Sequence, residues 1–224
     1  MALRSRAQSF AGGTLARGMA RVNARHPWSH NDHFHPWILR NLPDRRRAAL
    51  DIGCGEGALV ASLAPHFTTV VGNDVDPGML AATRARCSAL PNVTVTGEAW
   101  AGLPGPFDLV TMVAVLHHLD VPAALTHVAS SLAPGGRFLA VGIAPPRSAR
   151  DHAWDAASIL TNPVIGFVKH PRADRSGPRP TPYPVVEPTL ALDDLRRHVE
   201  DVMPGARVRH RLAFRHTVAW TRPA

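Results

Sequence analysis

The sequence predicts an α/β protein built on a doubly wound parallel sheet, and three observations predict it. A short apolar run, Ala48–Leu50, enters Asp51 and the glycine turn Gly53-Cys54-Gly55-Glu56-Gly57, after which a helical pattern begins. Four further apolar runs follow, separated by helix-length segments, and such alternation gives parallel strands joined by right-handed crossovers. At 224 residues the chain suits one domain that buries roughly 70–75% of its unfolded surface.

Residues 1–31 hold five arginines and no acid, with Gly12-Gly13 breaking any helix. A transit peptide has such a composition, and so does a GC-rich coding bias; the segment reads as an N-terminal helical arm over the site. Residues 33–42 predict a helix with Phe34, Trp37, Ile38 and Leu42 on one side. The first strand then meets the glycine turn, where positive φ or close ligand approach carries no steric penalty. A strand, a tight turn and a helix start in that order make a nucleotide-type pocket. Asp51 ahead of the first glycine predicts a positively charged ligand.

The second strand, Val70-Val71-Gly72-Asn73-Asp74, ends in an acid 21 residues after Gly53, near the ~20-residue spacing at which a carboxylate takes a ribose diol. A third, Val93–Thr96, leads to Gly97-Glu98-Ala99. A fourth, Phe107–Val113, leads to Leu116-His117-His118-Leu119. A helix from Val121 closes at Leu132–Gly136, and Arg137–Val141 forms the fifth strand. Residues 149–170 read as helical in part, interrupted at Asn162-Pro163, and a proline-rich loop runs on through Pro188. Leu192, Leu195, Val199 and Met203 recur at helical spacing, and Ala206–Trp220 predicts a terminal hairpin.

Gly53, Gly55 and Ala58 also satisfy the loose dinucleotide pattern G-x-G-x-x-G/A, so the turn alone does not decide the ligand. Taken with the motifs after strands two, three and four, the chain from Asn31 to Val141 resembles the class I S-adenosylmethionine-dependent methyltransferases. The resemblance is to their small-molecule branch (methyltransferase type 11), typified by ubiquinone and menaquinone biosynthesis enzymes. It implies a Rossmann-like, seven-stranded sheet with an antiparallel terminal strand and S-adenosyl-L-methionine as cofactor. It also implies one methyltransferase domain over 1–224: an arm (1–31), a cofactor core (32–142), a substrate lid inserted after strand five (143–189), and a terminal helix and hairpin (190–224). Carried over, Asp51, Gly53, Cys54 and Gly55 line the methionine half. Asp74 holds the ribose diol, Val75 lies on the adenine face, and Glu98, where the family has Asp, accepts from the adenine amino group beside Ala99. Trp100 flanks the base or packs in the core, and Val113 ends the strand beneath the cofactor. Asn31-Asp32-His33-Phe34-His35 stands where relatives carry Asn-x-His-Tyr-His, which makes Asn31 and His35 candidate contacts at the methionine end.

Methyl transfer from a sulfonium is an in-line displacement that depends on positioning in a water-poor pocket, and some acceptors need a base. His117 and His118, at the carboxyl edge of strand four, are the candidates for it; the alternative is that His118 bonds loop carbonyls and shapes the pocket wall. His26, His30, His33 and His35 cluster too, but their spacing shares no helical face and no cysteine supports a metal, so none is assigned.

Cys54 and Cys87 are the only cysteines, which predicts no disulfide framework, a reducing compartment and a cytoplasmic location. No apolar run approaches the ~18 residues that cross a bilayer. The net charge of +8 and pI near 11.2 raise nucleic acid as a partner, but the arginines are dispersed and read as solvated surface. The expected function is methylation of a small molecule in bacterial secondary metabolism. The alternatives are a nucleic-acid methyltransferase, disfavoured because no Asn/Asp-Pro-Pro-Tyr element follows strand four, and a cofactor-binding relative that performs a non-methylating reaction. A dehydrogenase lacks its Tyr-x-x-x-Lys pair, since the sole Lys169 precedes the sole Tyr183. The acceptor and the oligomeric state leave no readable pattern.

Overall fold

The computed structural model describes residues 31–169 and 187–224. Seven strands form one sheet in the order β3-β2-β1-β4-β5-β7-β6: β1 Ala48–Ile52, β2 Thr69–Asn73, β3 Val93–Thr96, β4 Phe107–Val113, β5 Leu132–Gly142, β6 Arg207–Arg211 and β7 Arg215–Thr221. The first five run parallel, β7 is antiparallel to β5, and β6 is antiparallel to β7. The strand order reverses between β1 and β4, and a doubly wound sheet opens its ligand crevice outside the carboxyl ends of the strands at such a reversal.

Both faces of the sheet are covered, so its central strands are apolar at successive positions. Along β1, β4 and β5, Leu50, Val110 and Phe138 point to one face and Ala49, Leu109 and Leu139 to the other. The first face packs on α4 (Val121–Ser131) and α6 (Leu192–Val202) through Leu125, Val128, Leu195 and Val199. The second packs on α1 (His35–Leu39) and α2 (Ala58–Leu63) through Ile38, Leu59, Val60 and Leu63. Asp76 starts α3 (Pro77–Arg86) by accepting from Met79 N, with Pro77 at the first helical position, and Asp120 starts α4 through Ala123 N; both bonds are 2.9 Å.

The amino edge is fastened by Asp108, which accepts from Arg45 Nε at 2.5 Å and from the backbone N–H groups of Arg47 and Ala48. These partners hold its carboxyl below the usual range against the opposing effect of burial. The sheet ends on β6, where Arg207 and Arg209 are exposed and Arg211 lies 5.9 Å over the Trp37 ring.

Three expectations need correction. The segment predicted as one helix over 33–42 is a 3-10 turn, Asp32–Phe34, followed by α1, which begins as Pro36 enters its first turn. The fifth strand begins at Leu132, where the sequence predicts the end of a helix. Its register against β4 slips between Phe107 and Leu109, and Gly135 (φ +75°) and Gly136 in the slip exchange backbone hydrogen bonds with Arg222. Finally, α5 (Ala149–Lys169) runs unbroken through Asn162-Pro163. A proline in mid-helix costs about 3 kcal/mol, and this helix is tied to the terminal hairpin through buried Ser158, which accepts from Phe214 N. The expected arm, residues 1–30, and most of the proline-rich loop lie outside the described residues.

Candidate active site

The glycine turn closes on the end of β2. The carbonyl of Asn73 accepts from Gly53 N at 2.7 Å and Cys54 N at 2.9 Å, while its side-chain amide donates to the carbonyls of Thr96 and Glu98. One buried residue thereby fixes the ends of β1, β2 and β3 relative to one another. Thr83 of α3 donates to Gly55 O at 2.6 Å. Behind the turn there is no room: a Cβ on Gly53 would sit 2.2 Å from Val115, and one on Gly57 2.7 Å from Thr83. Above Gly55 (φ +54°) the space is open, with nothing within 4 Å of a built Cβ, so this stretch of main chain is presented to a ligand.

Two carboxylates flank this turn. Asp74 Oδ2 accepts from Gly55 N at 2.9 Å and Oδ1 from Asp76 N at 3.0 Å. Each oxygen keeps acceptor capacity after those bonds, so Asp74 both sets the turn and can receive a pair of hydroxyls. Asp51, 2% exposed, accepts from Thr111 Oγ1 at 2.6 Å. Burial pushes its carboxyl up to about 7, Thr111 pulls it down, and Asp74 pushes it further up. A cation brought beside Asp51 would stabilise its ionised form. Val75 stands at the rim, 85% exposed, which for a large apolar side chain beside a crevice marks a contact surface rather than core. The open glycine turn, the two acids and the bare valine suit the charge, diol and flat base of an adenosyl sulfonium. Glu98 and Ala99 lie exposed just after β3, within the same rim.

The other expected residues are placed as follows. Cys54 is buried, 3.6 Å from Thr83 Oγ1, and burial ahead of the Asp51 charge pushes its thiol up to about 12; it is a packing thiol, not a nucleophile. Cys87 is also free. Trp100 meets His127 edge to face, ring centroids 5.0 Å apart, and packs on the core. Val113, half-buried, ends β4 ahead of Ala114, whose φ of 59° turns the chain sharply. Asn31 Oδ1 accepts from Arg215 Nε and Nη2 at 3.3 and 3.0 Å, which ties it to the terminal hairpin. His35 is half-buried, 3.7 Å from Asp32. His117 and His118 lie with ring centroids 4.1 Å apart, tilted by 41°, in a 3-10 turn. Burial, then His118 and Arg215, push His117 down to about 4, so it is neutral at physiological pH and a feeble proton acceptor. Among the described residues no three His, Cys, Asp or Glu side chains group as a metal site.

A second opening lies at the carboxyl ends of β5 and β6 and the start of β7. This cleft is walled by Pro145, Trp154, His210, Phe214, Arg215 and His216, among others. The hairpin reaches it through two adjacent left-handed residues, Ala213 and Phe214, and Phe214 N donates to Ser158 of α5 at 3.3 Å. His216 tucks against Gly142, where a Cβ would come within 2.3 Å of its ring. Sequence reading missed Asn73, Thr83 and Thr111 in the first opening, and Asp151, His210 and His216 in the second. A polar residue amid an apolar strand was the available signal for Asn73 and Thr111.

Comparison with known proteins agrees with this geometry. A family model described as a methyltransferase domain matches residues 50–138. An uncharacterised methyltransferase of Mycobacterium tuberculosis is 32% identical over 200 residues, covering 88% of this chain and 98% of that protein. A ubiquinone biosynthesis O-methyltransferase of Thiobacillus denitrificans is 30% identical over 125 residues, covering 49% of this chain and 54% of its own. In fold, the chain resembles magnesium protoporphyrin IX methyltransferase from Synechocystis with bound S-adenosylmethionine. The TM-score is 0.54 at 19% identity, over 95% of this chain and 86% of that one.

Proposed function

From the premise that this chain belongs to the class I S-adenosylmethionine-dependent methyltransferases, we propose that it methylates a small molecule of bacterial secondary metabolism. The cofactor, when bound, supplies an electrophilic methyl group. The chain's residues bind and orient. Asp51 sets its negative charge toward the cation, Asp74 takes the ribose hydroxyls, and Val75 and Glu98 receive the base. Asn31 and His35 serve the methionine end. The small-molecule reading is supported by a relative named for a small-molecule acceptor, the ubiquinone biosynthesis O-methyltransferase, and the cleft lined by Trp154, His210 and Phe214 offers an acceptor site outside the glycine turn. From the expected lid, α5 contributes Asp151, Trp154 and Asp155 to the wall of this cleft.

The test is release of S-adenosylhomocysteine with panels of phenols, amines and carboxylic acids set against mixed RNA and DNA. Turnover on a small molecule supports the reading. Methyl incorporation into RNA, with affinity falling steeply as salt rises, would replace it with the nucleic-acid alternative. Cofactor binding without product from any acceptor would favour a non-methylating reaction.

A further inference from the structure

The acceptor cleft holds an imidazole–carboxylate pair that the cofactor half of the site does not use. His210 Nε2 lies 3.1 Å from Asp151 Oδ1, and both side chains are 9% exposed. The carboxylate is fixed: it accepts from the N–H groups of Arg147 and Ser148 at 3.1 and 2.9 Å, while Asp151 N donates to Ser148 Oγ. The imidazole is fixed on its flat side by Trp154, stacked with centroids 5.7 Å apart and planes 4° from parallel. His210 pairs across the hairpin with His216. The Nε2–H does not point along the line to Asp151, so the contact is close without being a formed hydrogen bond. Acid–base pairs in ligand-free sites show such loose alignment and tighten when substrate docks.

Resting on the small-molecule reading above, we propose that His210 is the general base of the acceptor cleft, oriented by Asp151, and that the acceptor's nucleophile is a hydroxyl still carrying its proton. Once the Nε2–H swings onto Asp151 as the acceptor docks, Nδ1 keeps a lone pair for the incoming proton. The hydroxyl oxygen bonds the methyl carbon, the carbon–sulfur pair returns to sulfur, and the O–H proton passes to Nδ1. Asp151 then faces an imidazolium and stabilises it. The groups facing His210 are Asp151 and Arg150 from α5, Arg196 and Asp193 from α6, and His216 from β7. Burial outweighs the pull of Asp151 and holds His210 below its ordinary value, hence neutral and able to accept a proton at pH 7.

The decisive comparison is His210→Gln and Asp151→Asn against the wild type, by S-adenosylhomocysteine release, on phenols that ionise near ~10, as tyrosine does, and on nitrophenols already ionised in the assay. His210→Gln is expected to lose about 100-fold in kcat/KM on the first set, as removal of a general base does, and to retain most turnover on the second. Asp151→Asn should follow the same split more mildly. In the cofactor-free protein, imidazole NMR should show His210 as the Nε2–H tautomer, with a titration midpoint that falls in Asp151→Asn. Equal losses on both phenol sets would make His210 a structural residue and overturn the proposal. So would turnover confined to amines or carboxylates, or an Nδ1–H tautomer. No product from any acceptor with wild-type protein would instead remove the transfer reading itself. Melting temperature and cofactor retention in equilibrium dialysis, expected unchanged, separate all of these from misfolding.

Discussion

Replacing His216 by Gln should remove an acid sensitivity that the wild-type chain carries below pH 6.5. The ring is 4% exposed, packed on Gly142. Burial foremost, then the charges of Arg215, His210, His117 and Arg196, push it from 6.5 down to about 3. The unfolded chain therefore takes up this proton near pH 6.5 while the folded chain refuses it until about 3. Stability from this group is whole above 6.5 and declines as pH falls toward 3, because the unfolded state binds more protons across that window. Each unit is worth about 1.36 kcal/mol, so at pH 5 the loss is about 2 kcal/mol. Asp51 works in the opposite sense. Its carboxyl, raised to about 7, protonates first in the folded state and adds stability as pH drops from 7 toward 3.8. A single profile mixes the two, whereas the difference between wild type and variant isolates the histidine. Urea unfolding at pH 7.5 and 5.0, at fixed ionic strength, should show the wild type's margin over His216→Gln shrinking by about 2 kcal/mol at the lower pH. A margin that stays constant would mean that the imidazole is not kept neutral by burial, and the reasoning would fail.

Asp74→Ala should weaken cofactor binding at least 100-fold in calorimetry, through loss of both ribose bonds at about 1.5–3 kcal/mol each and release of Gly55 N and Asp76 N; unchanged affinity would dismiss its assignment. Cofactor affinity should rise with pH through about 7 as Asp51 ionises, and Asp51→Asn should flatten that dependence in the same titration. Asp108→Ala should destabilise by about 2–3 kcal/mol by orphaning two amides and a guanidinium. Because the Asp108 pKa is depressed, its contribution in the wild type is present above the ordinary carboxylate value and is lost as pH falls below it, which acid-range denaturation curves would display.

Much of the sheet was legible because β-branched and apolar runs bounded by turn residues have few alternatives. Val93–Thr96 and Phe107–Val113 appear with the expected bounds, and the helix predicted from Val121 starts there. The glycine turn and its two acids were legible for a related reason, since a short loop between strand and helix specifies its own geometry. What stayed hidden depends on partners distant in the chain. Thr83 reaches Gly55 across 28 residues and Thr111 reaches Asp51 across 60; neither pair leaves a local spacing to read. The second cleft is more extreme, joining α5 to a hairpin beyond α6. Proline at 163 misled for the opposite reason: a local rule gave way to tertiary anchoring of the helix.

Among the described residues no strand pairs with the outer side of β6, the last in the sheet order, which makes it the kind of border onto which a stray polypeptide can add itself. Its two exposed guanidinium groups, Arg207 and Arg209, would be forced against their own kind if a second molecule docked there edge to edge. Part of the basicity that first hinted at a polyanion thus has a defensive use. Replacing both arginines by threonine should raise the tendency of these chains to associate edge to edge.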